Sequence, residues 1–481
     1  MKKFKQALAL GLIGAMSIMS VGCGDSATKT SNDTPAESPA ESEVASASPE
    51  ASEEATETLP TDKYPAKDLN GRTFTFAYNW DPMPKEEPDP ATATVEDIYK
   101  WENLKRVEEK YNCKIEYINV PYEELDTKLT TSVMAGAPYA DGVMLEPAKA
   151  IPLAVSGQIM AIEDINLPEA DIFNDNYILL PGTEIAGKHY SMVEHNEEVS
   201  ACFLGVNEDI INELGVEDPV ALYEKGEWTW DKFLEIAKAA TKDTNGDNVV
   251  DQYGLSGVPI VLAKQFIASN DGYLVDDTNL KEGLSDPKTM EALEFFSKLY
   301  NTDKVAYLAN DDVWEWNGNL QAYREGKSAM FYLQSWVLGE GDNGSFNYSV
   351  VPFPTGPSNT TGSTYLTATG GVAIPRGVEN PEDVLMIFEE VQDWYGAEYE
   401  IKAEASREWL STLFKTEKDM ENAISFSEGG KVDVIDGVTD YPLNTVVGNL
   451  LADGQTVAQA VEANKQLAQD SIEAVFKKDK E

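Results

Sequence analysis

One run of metal-type oxygens stands out, Asp243-Thr-Asn-Gly-Asp-Asn-Val-Val-Asp251, which puts Asp243, Asn245, Asp247 and Asp251 at positions 1, 3, 5 and 9 and a carbonyl of Val249 at 7. A calcium loop uses this spacing, because a hard cation gathers about six to eight oxygens from alternating positions of a tight turn. Asn248 stands where glycine is usual, and Gly254 where a bidentate glutamate would close the shell. The competing reading is a solvated, Asx-rich turn between a helix and a strand. A calcium ion here would be structural, and no cofactor is otherwise required.

Catalytic spacings are missing. There is no Gly-x-Ser-x-Gly elbow and no His-Glu-x-x-His helix, and Gly326-Lys327-Ser328 has Gln321 where a phosphate-cradling loop needs glycine. His189 and His195 are the two histidines of the chain. Aromatic residues are plentiful instead, with 9 tryptophans and 21 tyrosines. Flat apolar faces with a few polar neighbours in a concave site are what the C–H surface and hydroxyls of a sugar require.

The elements that would position such groups begin after an exported leader. Lys2, Lys3 and Lys5 precede an apolar run from Ala7 to Val21 that ends at Gly22-Cys23, the pattern of a secretory signal over residues 1–22. Cys23 resembles the lipidated cysteine of a bacterial lipobox, although Ser20 replaces the common leucine. Residues 23–63 are Ser, Thr, Pro, Ala and Glu with almost no large apolar side chain, and are expected to form an unfolded acidic spacer. Formal net charge is −47, with 37 basic and 84 acidic residues, and no basic stripe interrupts it. Nucleic acid is thereby excluded as a partner, and an anionic ligand is disfavoured. Cys113 and Cys202, both in apolar surroundings, are expected to be thiols and not a disulfide.

From Tyr64 onward the composition is globular, and residues 64–481 exceed what one core usually supports. Strand patterns at Thr73–Tyr78, Lys114–Val120 and Ala140–Leu145 alternate with helical ones at Val95–Tyr111 and Glu123–Met134. Such an order predicts an α/β fold with a mainly parallel sheet, and open sheets of this type bind ligands at the carboxyl ends of their strands.

Several segments in sequence resemble the extracellular solute-binding protein family 1, the lipoprotein receptors of carbohydrate importers. They include Met134-Ala-Gly-Ala-Pro-Tyr-Ala-Asp141, Ser156-Gly-Gln-Ile-Met-Ala-Ile-Glu-Asp164, Gly187-Lys-His-Tyr-Ser-Met192 and Trp228-Thr-Trp-Asp-Lys-Phe233. Arg324-Glu-Gly-Lys-Ser-Ala-Met-Phe331 followed by Gln334-Ser-Trp336, and Gly370-Gly-Val-Ala-Ile-Pro375, complete the set. The resemblance implies a type II periplasmic-binding-protein fold, with two α/β lobes, a hinge and a ligand cleft between them. On that template residues 64–198 and 369–432 form the first lobe and 199–368 and 433–481 the second, with crossings near Glu198, Leu366 and Val432.

The same resemblance makes Trp336, after a strand at Ser328–Leu333, the leading stacking residue; its alternative is a core tryptophan. Trp80 ends the first strand, with Asn79 and Asp81 beside it as hydroxyl partners. Tyr190 and His189 follow Gly187 and could line the same cleft. Glu146 occupies a position where sugar-binding relatives often carry an aromatic, and could bind a hydroxyl. Trp228 and Trp230 flank Thr229 at a helix start and read as packing, while Trp314 and Trp316 are ambiguous.

The expected function is a lipid-anchored receptor, not an enzyme, on the outer face of the cell membrane. It would take a small solute, a mono- or oligosaccharide, and deliver it to ABC permease subunits. The alternatives are a secreted carbohydrate-active enzyme using a carboxylate pair, and a surface module without a cleft.

Overall fold

The computed structural model describes residues 63–477, apart from 169, 171–182, 186, 194–201, 277, 311, 340–343, 365, 368–369, 397–398, 428–430, 433 and 453. The signal, Cys23 and His195 lie outside the described residues, as does the spacer except for Lys63. Among the described residues no helix is long and apolar enough to cross a membrane.

The strands Thr73–Tyr78, Lys114–Asn119 and Gly142–Leu145 pair in parallel, with Thr73 opposite Lys114 and Phe76 opposite Gly142. Gly371–Ala373 joins antiparallel beside Gly142–Leu145, giving the sheet order 371–373, 142–145, 73–78, 114–119. Alternation in Thr-Phe-Thr-Phe-Ala-Tyr sends Phe74, Phe76 and Tyr78 into one core and Ala77 into the core on the other face. The Val95–Tyr111 helix starts on Thr94, whose hydroxyl accepts from the Asp97 amide, and stops at Asn112 in the left-handed region. The helix expected from Glu123 opens with a 3₁₀ turn over Tyr122–Glu124 before Leu125–Met134.

Under this sheet the Pro381–Gln392 helix buries Glu390 completely. Arg106 at 3.1 Å, Lys110 at 3.0 Å and the Tyr111 hydroxyl at 2.8 Å converge on its carboxylate. Tyr64 adds its backbone amide there at 3.3 Å and its hydroxyl to Glu389. The start of the globular region is thus fastened to a buried charge network.

A second sheet has the order 348–351, 203–207, 328–333, 253–256. Ser328–Leu333 is buried along its whole length, parallel to Tyr253–Ser256 and antiparallel to Phe203–Asn207. Trp228 and Trp230 are core residues as expected. Thr229 caps their helix, Trp228 donates to the Pro352 carbonyl, and Trp230 stacks on Phe295 at 4.3 Å. Cys113 and Cys202 are buried thiols in no disulfide.

Chain segments that run between the sheets meet at one place. Leu366–Thr367 pairs in parallel with Lys431–Val432, and the Cys202 amide donates to the Leu366 carbonyl at 3.3 Å. The crossing expected near Glu198 is outside the described residues. Asp271 braces the bundle, accepting from Lys431 at 2.9 Å, from the Thr360 amide at 2.8 Å and from the Thr361 hydroxyl.

Residues 369–432 and 433–481 divide differently from expectation. Gly371–Ala373 and Pro381–Gln392 pack on the first sheet, but Leu410, Leu413, Phe414, Met420 and Phe426 pack with Phe203 and Phe331 of the second. The Val457–Phe476 helix puts Ala460, Val461 and Ala468 into the second core and Ile472 and Val475 into the first. The apolar stripe of a 20-residue helix is long enough to serve both.

Candidate ligand-binding site

Ser328–Leu333 ends at Gln334, and the short Ser335–Gly339 helix then lifts Trp336 out of the core. Its indole is 49% exposed, so it is not a core tryptophan. Trp316 stacks on it with ring centres 5.1 Å apart and planes 21° from parallel. Trp316 in turn presents a perpendicular contact to Tyr332 at 6.1 Å. Trp314 and Trp316 precede the Asn317–Arg324 helix, so they belong to a turn and not to a strand.

From the first sheet, Glu146 stands directly after Gly142–Leu145 and before the Pro147–Val155 helix. The Tyr122 hydroxyl donates to its Oε2 at 3.0 Å. Glu146 is reached by solvent although neighbouring protein groups crowd its carboxylate. Burial raises its carboxyl above the usual range, against the Tyr122 hydrogen bond, and the Asp436 carboxylate adds to the rise. Asp436 is paired with Lys264 of the second core at 2.7 Å, and Lys149 with Asp126 at 2.7 Å. Tyr332 feels both Asp436 and Glu146, although burial is the main reason its phenol lies far above the ordinary value. Strand ends of the two sheets therefore approach each other here, where the open-sheet rule places a ligand.

Trp80 lies two residues beyond the end of the first strand at Tyr78, 41% exposed, with its ring edge-on to Tyr78 at 5.2 Å. Asn79 and Asp81 beside it are exposed. Asp81 is already engaged by Lys85 at 2.8 Å, and that contact holds its carboxyl below the usual range. His189 is not joined to this group. It sits in a small hairpin, Glu184–Ile185 with Lys188–His189, where Nδ1 is 2.7 Å from Glu163 and Nε2 is 3.8 Å from Glu184. Tyr190 is half-buried against the core behind the first sheet.

Residues that sequence reasoning missed are Tyr122, Tyr332, Gln334, Lys264 and Asp436. Tyr122 follows the second strand and could have been found from the strand-end rule. Asp436 comes from a distant segment and carries no local signal.

The 243–251 loop is an internally bonded turn. Asp243 accepts from the amides of Asn245, Gly246 and Asn248, Asn245 from Asp247, Asp247 from Val249, and Asp251 from Thr244. Asn248 takes the left-handed conformation that position demands, at φ 69°. Position 12 is closed to a ligand side chain, since a Cβ on Gly254 would lie 2.4 Å from Ala237 Cα. Among the described residues no three His, Cys, Asp or Glu converge to hold a metal ion. The turn thus holds its carboxylates in internal hydrogen bonds, and position 12 supplies no side-chain oxygen to a calcium shell.

A separate surface groove of about 950 Å³ runs between Val95 and the Arg407, Glu408 and Lys415 region. Half of the residues that line it are charged, and it lacks the exposed aromatic faces of the Trp336 region.

A family model described as bacterial extracellular solute-binding protein matches residues 89–394. No curated protein matches the chain. Among solved structures the chain is similar to the maltose/maltodextrin-binding domain MalE from Bdellovibrio bacteriovorus bound to maltotriose, at 17% identity and a TM-score of 0.57 over 83% of this chain and 99% of that one. The ABC substrate-binding protein Lmo0181 from Listeria monocytogenes in complex with cycloalternan gives 18% identity and a TM-score of 0.59 over 84% and 98%. UgpB from Mycobacterium tuberculosis in complex with glycerophosphocholine gives 15% and 0.58 over 83% and 98%. The type II periplasmic-binding-protein fold is common to them and to this chain.

Proposed function

The chain belongs to the bacterial extracellular solute-binding protein family, and from that premise we propose that it captures a neutral mono- or oligosaccharide between its two sheets. The observation that carries this reading is the half-exposed Trp336, backed by Trp316, which packs against Tyr332, a tyrosine within electrostatic reach of Glu146. An indole face matches the C–H face of a pyranose, and a carboxylate accepts hydroxyl protons from its rim. Trp80, Asn79 and Tyr122 supply further contacts from the first sheet.

Capture would proceed without a covalent step. A ligand that touches both strand-end groups favours the state in which they are close, by as much as its affinity for the two states differs. The paired segments at Leu366 and Lys431, with Cys202 beside them, would serve as the hinge. Cys23 would carry the lipid and residues 24–63 the spacer, holding the receptor outside the membrane for delivery to ABC permease subunits.

A thermal-shift screen of the purified protein against saccharides, polyols and peptides tests the reading. Ligand at 100 times its dissociation constant adds about 2.7 kcal/mol. A rise with one saccharide class, with the sugar recovered intact, is expected; hydrolysis of the sugar, or a rise with peptides alone, would overturn it.

A further inference from the structure

Five side chains around the aromatic pair form a closed circuit. The Trp336 indole N–H donates to Gln334 Oε1 at 2.7 Å, and the Gln334 amide nitrogen donates to Cys202 Sγ at 3.0 Å. Cys202 Sγ lies 3.5 Å from the Tyr332 hydroxyl. Tyr332 meets Trp316 at right angles, and Trp316 stacks back on Trp336.

Each link fixes a different freedom. Trp316 covers one face of Trp336 and leaves the other open. Gln334 can accept only through its carbonyl and donate only through its nitrogen, so contact with Trp336 on one side and Cys202 on the other sets the orientation of its amide. The indole N–H is satisfied within the protein, and Trp336 therefore offers a ligand an apolar face with no donor. Cys202 is itself tied by its amide to Leu366.

We propose that Gln334 is a positioning residue which, anchored on the Cys202 thiol, holds Trp336 with its free face toward the ligand and thereby sets affinity. This rests on the saccharide reading above. Without Gln334 the indole regains rotation about its side-chain bonds, and its exposed N–H turns to solvent.

Incorporation of 5-fluorotryptophan and fluorine NMR test the geometry with no ligand present. The chain has 9 tryptophans, and Trp336→Phe identifies the resonance of interest by its loss. Gln334→Leu should move that resonance, whereas Gln334→Glu, which keeps the acceptor for the indole but loses the N–H that reaches Cys202, should restore it only in part. Titration with maltotriose should then show Gln334→Leu about fivefold weaker than wild type, the size expected for one hydrogen bond, with an unchanged melting midpoint. In a Trp336→Phe background the same substitution should add nothing. An unmoved resonance, or an equal loss in the Trp336→Phe background, overturns the proposal. If maltotriose does not bind wild type, the saccharide reading fails for that sugar, and the fluorine spectrum alone decides the role of Gln334.

Discussion

The hydroxyl of Tyr122 donates to Oε2 of Glu146 at 3.0 Å, joining the turn after one strand of the first sheet to the end of another. The bond only partly offsets the burial that makes the ionised Glu146 unfavourable.

Glu146→Gln is therefore expected to raise the melting midpoint at pH 7 while weakening saccharide binding. The sign follows from the raised carboxyl. The folded state disfavours the charge, so the penalty is absent below the unfolded value of about 4.3 and complete above the folded one. The gain of the variant should accordingly shrink as pH falls toward 4. A variant that is less stable at pH 7, or that binds as well as wild type, would contradict the assignment.

Asp271 gives the opposite dependence. Burial opposes its ionisation, but hydrogen bonds from Thr361, Thr360 and Lys431 outweigh burial and hold its carboxyl far below the usual range. Its contribution is present above the unfolded value of about 3.9 and is lost as pH falls. Asp271→Asn should lower the midpoint at pH 7, and its difference from wild type should narrow in acid. Parallel melting curves from pH 7 to 3 measure this.

Trp336→Ala should weaken saccharide binding at least about tenfold, which corresponds to about 1.4 kcal/mol, without loss of fold, since the indole is 49% exposed. Trp316→Ala should lose affinity too, because it removes the backing of the stack. Calorimetric titration separates these from a global effect.

Glu390→Ala should destabilise the protein by about 3–5 kcal/mol, because it leaves Arg106 and Lys110 facing a space without their carboxylate. Denaturant unfolding reads this directly. A change under about 1 kcal/mol would mean that the network is replaceable by water.

Gly254→Ala should cost about 1–3 kcal/mol through overpacking, since its Cβ would press on the backbone of Ala237. Urea unfolding midpoints of the variant and wild type give the value.

Much of the scaffold was legible in the sequence. The parallel start of the first sheet followed from alternating Phe74, Phe76 and Tyr78 and from the amphipathic Val95–Tyr111, and Trp228 and Trp230 read correctly as packing beside the Thr229 cap. Trp336 could be singled out because a strand and a resemblance both pointed to it. Its partners could not: Cys202 and Gln334 are 132 positions apart, and neither carries a pattern of its own. His189 looked available because Glu163, its partner, is distant in sequence. The 243–251 loop reads two ways for a related reason, since oxygen spacing is shared by metal loops and by self-bonded turns, and the obstacle at Gly254 comes from Ala237 in a neighbouring helix.

The edge strand Gly371–Ala373 completes a sheet whose other members lie between Thr73 and Leu145. Its place makes the first lobe wait. While an exported chain is still crossing the membrane, residues 73–145 can collapse locally, but Val143 to Leu145 have no edge partner until more than two hundred further residues have emerged. Contacts this remote in sequence slow folding. The strands of the second sheet all fall between Phe203 and Val351, so that sheet can pair before Gly371–Ala373 emerges, although its core is completed only by residues from Leu410 onward.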